Sequence, residues 1–315
     1  GVADPRRTYE AFKKMDLNVV VDLFMTPTAM ACADYVLPAA TYPERDGVYL
    51  PLGSVTCTGT INKAIEPLGE CRSDMEINLE LGRRLNPEAW PWENVHEMFD
   101  AMLEGTHVTF EELRELGYLF DQFEYRKHEK GQLRPDGEPG FDTPTGKVEL
   151  HSTVLERCGL DPLPYFEEPP ESPVSTPDVA EEYPLVLTTG ARVRGYFHSE
   201  HRQIPSLRRM NPDPITEMHP HTAAALGIED GDWIIVESQY GRCRQRAKLT
   251  EGIDPRVVSA QHGWWFPEKE GPEPTLYGAW ESNINLLLPS GWTGRSGLGY
   301  PFKSQLCRVR PLDGK

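Results

Sequence analysis

The segment PHTAAALGIEDGDWIIVES, residues Pro220 to Ser238, carries the pattern that decides the fold of the second half of the chain. It opens with proline, whose missing amide hydrogen costs nothing at the first position of a helix, so Pro220–Leu226 is predicted to be a short helix. Asp230-Gly231-Asp232 predicts a turn. Trp233–Glu237 is a run of β-branched and aromatic residues that is typical of a strand.

Further short strands are predicted on both sides of this segment. The same criteria predict strands at Leu185–Thr189, Arg242–Leu249 and Val257–Ala260. One short helix among many short strands is typical of a closed β-barrel. The second half of the chain is therefore predicted to form such a barrel.

The first half of the chain has an α/β pattern instead. Asn18–Phe24 (NVVVDLF) is a β-branched run suited to a buried strand, and Asp34–Ala39 is a shorter one. Between them the sequence predicts a turn into a short helix, with Thr26 or Thr28 near the helix N-terminus. Longer helices are predicted at Ser73–Leu85, Val95–Leu103 and Phe110–Leu116.

A connector separates the two patterns. No lysine or arginine occurs between Cys158 and Ala191, where prolines and glutamates are frequent. Prolines remove backbone donors and like charges repel, so this stretch is expected to be extended over the surface. The predicted organisation is an α/β part over residues 1–160, a Pro/Glu-rich linker over 161–183 and a barrel over 184–315.

Composition excludes several classes of function. The formal net charge of −17 argues against a nucleic-acid partner, which needs a basic surface, and against anionic lipid. No apolar run approaches the length of a bilayer span, so no direct membrane insertion is expected. The six cysteines are scattered without a C-x-x-C pair, which disfavours a metal or iron–sulfur site made by this chain alone. The N-terminal residues lack an initiator methionine and a signal region, which suggests a piece of a longer protein.

Thr188–Arg209 concentrates positive charge within this acidic chain. It contains five arginines and two histidines against a single acid, Glu200. A glycine after a strand lets backbone amides approach a ligand, and guanidinium groups match phosphate oxygens in a fork. A pyrophosphate-linked cofactor fits this pattern. The alternative is an arginine face that pairs with the acidic remainder of the chain.

Three other motifs each allow two interpretations. Gln261–Glu268 (QHGWWFPE) suits the wall of a pocket for a heterocycle, or a buried core. Asn283 and Asn285 could bind the edges of a pterin or purine, or bond to neighbouring backbone. His219-Pro-His221 is interpreted as a helix start rather than a metal site. No nucleophile–base pair, P-loop or G-x-G-x-x-G occurs, so no catalytic residue is assigned.

Six motifs, in this order, resemble the molybdenum and tungsten enzymes of the dimethyl sulfoxide reductase family. They are MTPTAMACADYVLPAATYPERDG, FDTPTGKVEL, LTTGARVRGYFHSEHRQ, PHTAAALGIEDGDWIIVES, HGWWFPE and SNINLL. The resemblance covers nearly the whole chain. YFHSEHRQ together with HGWWFPE is most similar to the branch that contains acetylene hydratase, pyrogallol transhydroxylase and catechol dehydroxylases.

This resemblance implies a fold and a cofactor. Tyr183 to Lys315 would form a double-psi β-barrel that closes over bis(molybdopterin guanine dinucleotide) carrying molybdenum or tungsten. Residues 1–160 would be an incomplete doubly wound domain, with Thr26 and Thr28 in the turn on the ligand side. The residues expected by resemblance to contact the pterin and phosphate portions are Thr189, Gly190, Arg192, His198 and Asn283.

The chain departs from the family in what it lacks. The N-terminal region, which in many members carries an iron–sulfur cysteine motif and the residue that ligates the metal, has no counterpart in this sequence. We therefore expect the cofactor-binding C-terminal portion of an oxygen-atom or hydroxyl-transferring oxidoreductase, inactive alone, with no metal ligand of its own. Its expected partner is the N-terminal remainder of the same enzyme, with an iron–sulfur cluster there; an iron–sulfur electron-transfer subunit is a further candidate partner.

A second hypothesis comes from another class of protein. The same barrel could be a non-catalytic module that binds a nucleotide-like ligand or a partner protein. The coding region upstream would discriminate the two, because clustered cysteines and a ligating Cys, Ser or Asp there would support the oxidoreductase. A hydrolase is disfavoured, because no paired carboxylates or nucleophile–base signature occurs.

Overall fold

The computed structural model describes residues 2–49, 57–120, 124–191, 193–294, 297, 299 and 302–312. The strands are β1 (Val19–Asp22), β2 (Tyr35–Pro38), β3 (Gly47–Tyr49), β4 (Cys57–Ile61), β5 (Tyr118–Phe120), β6 (Leu185–Ala191), β7 (Ile215–Met218), β8 (Trp233–Glu237), β9 (Arg242–Leu249), β10 (Val257–Gln261) and β11 (Gln305–Pro311). The α-helices are α1 (Pro5–Phe12), α2 (Pro27–Cys32), α3 (Asp74–Leu85), α4 (Val95–Met102), α5 (Phe110–Leu116), α6 (Thr153–Arg157), α7 (Pro177–Glu182), α8 (Pro205–Arg208), α9 (Pro220–Leu226) and α10 (Ala279–Ser282). Short 3₁₀ helices lie at Tyr42–Glu44, Leu276–Gly278 and Ile284–Leu287. None of the helices in these ranges is long and apolar enough to cross a membrane.

The chain divides into two compact units. The first comprises Gly1–Asn18, Thr26–Cys32 and His151–Lys315, and the second comprises Val19–Met25 and Ala33–Leu150. The N-terminal helix α1 therefore belongs to the same unit as β6–β11.

The first unit is built around a closed six-stranded barrel with the strand order β10-β6-β11-β8-β9-β7. The pairs β10–β6 and β7–β9 are parallel, and the other neighbouring pairs are antiparallel. Alternate residues of β7 and β9 are buried, as the period of two along a strand requires when one face covers a core. The core contains fully buried side chains from several strands, among them Leu187, Met218, Ile234, Val258 and Cys307. The closed barrel predicted from the short-strand pattern is confirmed.

Two barrel strands were not predicted from the sequence. β7 has only four residues, ITEM, two of which are polar. β11, QLCRVRP, alternates apolar side chains with arginine and ends in proline. Both are stabilised by neighbours on two sides, and this tertiary pairing overrides their weak local pattern.

Helix α1 packs against the segment that follows β10. The rings of Tyr9 and Trp280 meet edge to face at 5.7 Å between centroids. Lys13 forms an ion pair of 3.0 Å with Glu273, and Tyr9 donates a hydrogen bond of 2.7 Å to the same carboxylate. The amide of Asn285 donates to the carbonyl of Val2 at 2.8 Å. The start of the chain is thereby attached to the barrel unit.

The predicted linker, residues 161–183, is more structured than an extended connector. It contains α7, and the side chains of Glu171 and Ser172 are buried. The Glu171 carboxylate accepts hydrogen bonds from the amide of Leu306 at 2.7 Å, from Gln239 Nε2 at 2.6 Å and from the Tyr240 hydroxyl at 2.9 Å. A buried acceptor therefore fastens this stretch to the barrel, although its composition suggested a solvated chain.

The second unit has its own small core. α4 and α5 bury Met98, Phe99, Leu103, Phe110 and Leu113 against each other. The helices predicted from sequence are confirmed, and α3 begins with a capping box in which Ser73 and Glu76 satisfy each other's backbone amides. β3, β4 and β5 form an antiparallel sheet. β1 and β2 form a parallel pair of two strands, and the incomplete doubly wound domain stays a prediction.

Candidate functional site

The candidate site lies where β6 and β10 end. These strands are parallel neighbours, with Thr188 opposite Ser259 and Thr189 opposite Ala260. Because the carboxyl ends of parallel strands meet at one edge, the chain segments after Ala191 and after Gln261 leave the barrel at the same end. The register shifts between Ala260 and Gln261, where the ladder ends.

Thr189 and Gly190 form the rim of this edge. The Thr189 hydroxyl and amide both donate to the Phe302 carbonyl, at 2.9 and 3.0 Å, which fixes the end of β6. The Lys303 ammonium donates to the Thr189 carbonyl. Gly190 has φ +88°, and a Cβ there would lie 2.9 Å from Lys303 Nζ. Glycine therefore makes room for the Lys303 ammonium group against the backbone, where that charge could attract an anionic group.

The arginines of Thr188–Arg209 occupy very different environments. Arg192 lies outside the described residues. Arg194 and Arg209 are exposed. Arg202 is 1% exposed, and its guanidinium carbon lies 4.6 Å from the ring centroid of Tyr196 and 4.5 Å from that of Trp264. The alternative interpretation, in which these arginines form a surface face that pairs with acidic residues, therefore does not apply to Arg202.

Arg202 is a buried cation held by neutral partners. It donates to the carbonyl of His198 at 2.9 Å and to the carbonyl of His262 at 3.3 Å. Within the described ranges no carboxylate forms an ion pair with it, and its Nε has no hydrogen-bond partner. Burial lowers the pKa of Arg202 to about 10, so it stays charged at neutral pH. An uncompensated cation on the loop that follows β6 would favour an anionic ligand nearby.

The loops that carry His198 and His262 contact each other, and Arg202 is bonded to both. His198 Nδ1 lies 2.7 Å from His262 Nε2, and His198 has a φ of +52°. The Trp265 indole donates to the Ser199 carbonyl at 2.8 Å. Gly263 has φ +68°, and a Cβ there would meet backbone atoms of His198 and Ser199 between 3.1 and 3.2 Å. Close contact between the two loop backbones therefore holds the His198 ring next to the His262 ring.

The aromatic motif QHGWWFPE forms a core under the loop. Trp264, Trp265 and Phe266 are all buried, and the Trp264 indole donates to Gln261 Oε1 at 3.1 Å. Of the two interpretations of this motif, the burial of its aromatic side chains supports a buried core rather than the wall of a pocket.

Beside the loop, a cavity of about 370 Å³ opens against the outer face of the barrel. Its lining includes Arg194 from the loop and a row of side chains from β7, β9 and β10, namely Glu217, Lys248 and Ser259. Lys248 pairs with Glu217 at 2.7 Å. The cavity is thus polar, with two basic groups and one acid.

The remaining residues expected from the resemblance lie in the same unit. Asn283 caps the 3₁₀ helix Ile284–Leu287, where its Oδ1 accepts from the amide of Asn285 at 3.1 Å. Thr26 Oγ1 accepts from the amide of Ala29 at 3.4 Å at the start of α2, as predicted, and Thr28 is exposed. α2 contacts the 3₁₀ helix Leu276–Gly278, which packs against α10, the helix that ends just before Asn283. His219 caps α9, which confirms the helix-start interpretation.

Three residues at this edge were missed by sequence reasoning: Arg202, His262 and Lys303. Arg202 and His262 lie inside motifs that the sequence singled out, but the contact between those motifs could not be inferred. Lys303 precedes β11, a strand that was not predicted, and no local signal indicates it. Among the described residues, no group of three or more His, Cys, Asp and Glu side chains is placed to hold a metal ion. Lys303 places an ammonium group at the end of β6, and Arg202 is a buried cation on the loop that follows; positive charge of this kind fits an anionic ligand.

Comparison with known proteins agrees with this chemistry. Residues 185–304 match the molydopterin dinucleotide binding domain, and residues 1–84 match the molybdopterin oxidoreductase model. Acetylene hydratase of Syntrophotalea acetylenica is 36% identical over 291 residues, which cover 91% of this chain and 39% of that protein. Dopamine dehydroxylase of Eggerthella lenta is 32% identical, over 83% of this chain and 32% of that protein.

A solved structure shows the same fold. Acetylene hydratase from Pelobacter acetylenicus superposes with a TM-score of 0.88 at 32% identity, covering 98% of this chain and 42% of that one. The chain thus spans about two fifths or less of the length of these relatives. The dinucleotide-binding domain that it matches indicates a molybdenum- or tungsten-molybdopterin cofactor. With the family models, the relatives and the barrel in agreement, this chain belongs to the molybdopterin oxidoreductase family.

Proposed function

We propose that this chain is the cofactor-binding C-terminal portion of a bis(molybdopterin guanine dinucleotide) oxidoreductase that transfers an oxygen atom or a hydroxyl group. The metal, molybdenum or tungsten, supplies the two-electron chemistry when the cofactor is bound. The chain supplies binding, orientation and charge. Its share of the length of its relatives, 39% of acetylene hydratase and 32% of dopamine dehydroxylase, supports the view that further polypeptide is needed for activity.

The observation that carries the proposal is the Thr189–Gly190 rim. Gly190 has no side chain, and the Lys303 ammonium group lies against its backbone in the space that a Cβ would need. A phosphate oxygen that approaches this rim would meet that ammonium group. Arg202 adds a positive charge that no described carboxylate neutralises. Arg192 and His198 on the same loop are proposed as further contacts to the phosphate and pterin portions.

Two packed segments are proposed to complete the cofactor surface. Thr26 and Thr28 on α2 would lie at the guanosine end, and Asn283 at the pterin end. The contact of α2 with Leu276–Gly278 supports a continuous surface between them. We also propose that the barrel has double-psi topology, which its two parallel and four antiparallel strand pairs support. The parallel pair β1–β2 would belong to a doubly wound sheet completed by other strands.

The proposed partner is the N-terminal remainder of the enzyme, which would provide the metal ligand and an iron–sulfur cluster. An iron–sulfur electron-transfer subunit is proposed as a second partner. Reading the coding region upstream of Gly1 tests the first of these. Clustered cysteines with a ligating Cys, Ser or Asp would support it, whereas a start codon at this position would favour a non-catalytic nucleotide-binding module.

A matched pair of glycine variants tests the rim in the complete enzyme. Gly190→Ala and Gly231→Ala both place alanine at positive φ, at +88° and +84°, but only the first crowds Lys303 Nζ. Both should lose similar stability from backbone strain. Gly190→Ala should also lose pterin, measured by the fluorescence of the oxidised cofactor, and guanine nucleotide released by acid. Equal cofactor content in the two variants would contradict the assignment.

A further inference from the structure

His198 and His262 face each other through ring nitrogens at an exposed edge of the barrel. The distance of 2.7 Å between His198 Nδ1 and His262 Nε2 is that of a strong N–H···N hydrogen bond. One of the two nitrogens must therefore carry a proton and the other a lone pair. His198 is exposed, and the hydrogen bond engages only its Nδ1, which leaves its Nε2 for a ligand.

We propose that His198 and His262 form a dyad that stores one proton and returns it to the group bound at the end of β6. A proton that binds His198 Nε2 allows the Nδ1 proton to move across the hydrogen bond to His262 Nε2. His262 then carries the additional proton and the positive charge, and His198 is neutral again. The reverse transfer gives the proton back. No bond other than N–H forms or breaks, and no electron is transferred.

Arg202 is the positioning residue of this dyad. It donates to the backbone carbonyls of both histidines, at 2.9 Å for His198 and 3.3 Å for His262. His198 and His262 lie 64 positions apart on separate loops, so one buried guanidinium joins the two backbones that carry the rings. The aromatic sandwich of Tyr196 and Trp264 fixes the plane of the guanidinium. Such a clamp orients two imidazoles without touching either ring.

Among the described residues, few charged side chains lie near the dyad. Glu200 and His201 lie on the loop of His198, and Arg202 lies beneath it. From α8, Arg208 stacks on Trp264 at 5.2 Å and pairs outward with Glu268 at 2.9 Å. Arg208 thus shares the aromatic surface of Arg202, but within the described residues it makes no hydrogen bond to the backbone of either histidine, which makes it a matched control.

The two histidines lie on the loops that follow β6 and β10, and these strands end side by side at the edge where Thr189 and Gly190 lie. The role of the dyad toward the cofactor rests on the proposed function, since cofactor-bound chemistry of this class exchanges protons. The hydrogen bond itself is a property of this chain and can be measured without cofactor. Failure of the dyad and failure of the proposed function are therefore distinguishable.

The test is nuclear magnetic resonance of the cofactor-free chain with ¹⁵N-labelled histidine. A downfield imidazole proton should correlate with His198 Nδ1 and His262 Nε2 and exchange with water about tenfold or more slowly than those of exposed His151. His262→Gln should remove the signal and leave the barrel amide spectrum in place. Two rings with independent, rapidly exchanging protons in the unaltered chain would overturn the dyad.

The positioning role is tested by three arginine variants. Arg202→Met should abolish the shared-proton signal, Arg202→Lys should restore it with faster exchange, and Arg208→Met should leave it unchanged. Barrel amide spectra identify any variant that has lost its fold. If Arg202→Met does not fold, Arg202→Lys is compared with Arg208→Met in its place. A shared proton that exchanges equally slowly in folded Arg202 variants and in Arg208→Met would overturn the role of Arg202.

Discussion

The carboxylate of Glu171 accepts a hydrogen bond from the backbone amide of Leu306, 135 positions later in the chain, at 2.7 Å. Leu306 belongs to β11, and Glu171 belongs to a stretch rich in proline and acidic residues. The same carboxylate also receives Gln239 Nε2 and the Tyr240 hydroxyl. Glu171 is 1% exposed and Leu306 is fully buried, so the Leu306 amide has no water to bond instead. One side chain thus joins the linker, β11 and the turn after β8.

Glu171→Ala should destabilise the barrel unit by about 1–3 kcal/mol, because the buried amide of Leu306 loses its acceptor and Gln239 and Tyr240 lose a bond each. Chemical denaturation followed by tryptophan fluorescence measures the change. Glu181→Ala, which removes an exposed carboxylate from α7, is the control and should cost about 0.5 kcal/mol or less. Equal stability of the two variants would show that Glu171 does not anchor the linker.

The second unit should lose stability in acid through Glu44. The Thr41 amide, the Thr41 hydroxyl and, less strongly, the Leu68 amide donate to its carboxylate and lower the pKa of Glu44 below its usual 4.5, against an opposing effect of burial. A lowered folded-state pKa contributes stability that is present above pH 4.5 and lost as pH falls through the folded value.

Glu44→Gln should therefore flatten the loss of stability below pH 4.5, measured by urea unfolding between pH 7 and pH 3. Glu66→Gln, a change of equal charge on a side chain that is 87% exposed, is the matched control. A profile that is equally steep in both variants would contradict the role of Glu44.

The small core of the second unit should depend on Phe110. Its side chain is fully buried against Phe99, with 4.9 Å between ring centroids, so Phe110→Ala should cost about 3–5 kcal/mol. Leu116→Ala on the same helix, 58% exposed, should cost about 0.5 kcal/mol or less. Hydrogen exchange of the α4 and α5 amides measures both. Unchanged protection in Phe110→Ala would mean that this core does not hold the helices together.

Arg192→Ala should weaken cofactor retention in the complete enzyme more than Arg209→Ala. A charge-assisted bond to phosphate is worth about 1.5–3 kcal/mol, or about ten- to a hundredfold in affinity. Arg209 is exposed, and an ion pair there contributes about 0–1 kcal/mol. Pterin fluorescence per protein after identical purification gives the comparison. The same pterin content in both variants would remove Arg192 from the site.

Local signals in the sequence predicted elements whose stability is local. The Ser73–Glu76 capping box marks the start of α3, and Pro220 marks the start of α9. The predicted strand Trp233–Glu237 begins and ends at the same residues as β8. β7 and β11 could not be predicted in this way, because their short or polar-alternating sequences become strands only between two neighbours.

The candidate site was predictable only as separate segments. The glycine after the predicted strand Leu185–Thr189 and the arginine-rich loop indicated an anionic ligand, and the resemblance indicated which one. The burial of Arg202 between Tyr196 and Trp264 was not predictable, because arginine is expected at the surface and Trp264 arrives 62 positions later than Arg202 on a different loop. The pairing of β6 with β10 creates that neighbourhood, and no local pattern encodes it.

Strand β11 also imposes an order in time. It is the neighbour of both β6 and β8, so the barrel cannot close before residues 305–311 have left the ribosome. Until then β6 lacks β11 as its neighbour. The hydrogen bonds between Thr189 and the residues just before β11, Phe302 and Lys303, are also absent, so the rim at Thr189 and Gly190 is unformed. Nascent chains that stall earlier would expose an open sheet with unpaired strand edges, a state prone to association. With the rim as the proposed cofactor contact, loading is expected only after β11 has been synthesised.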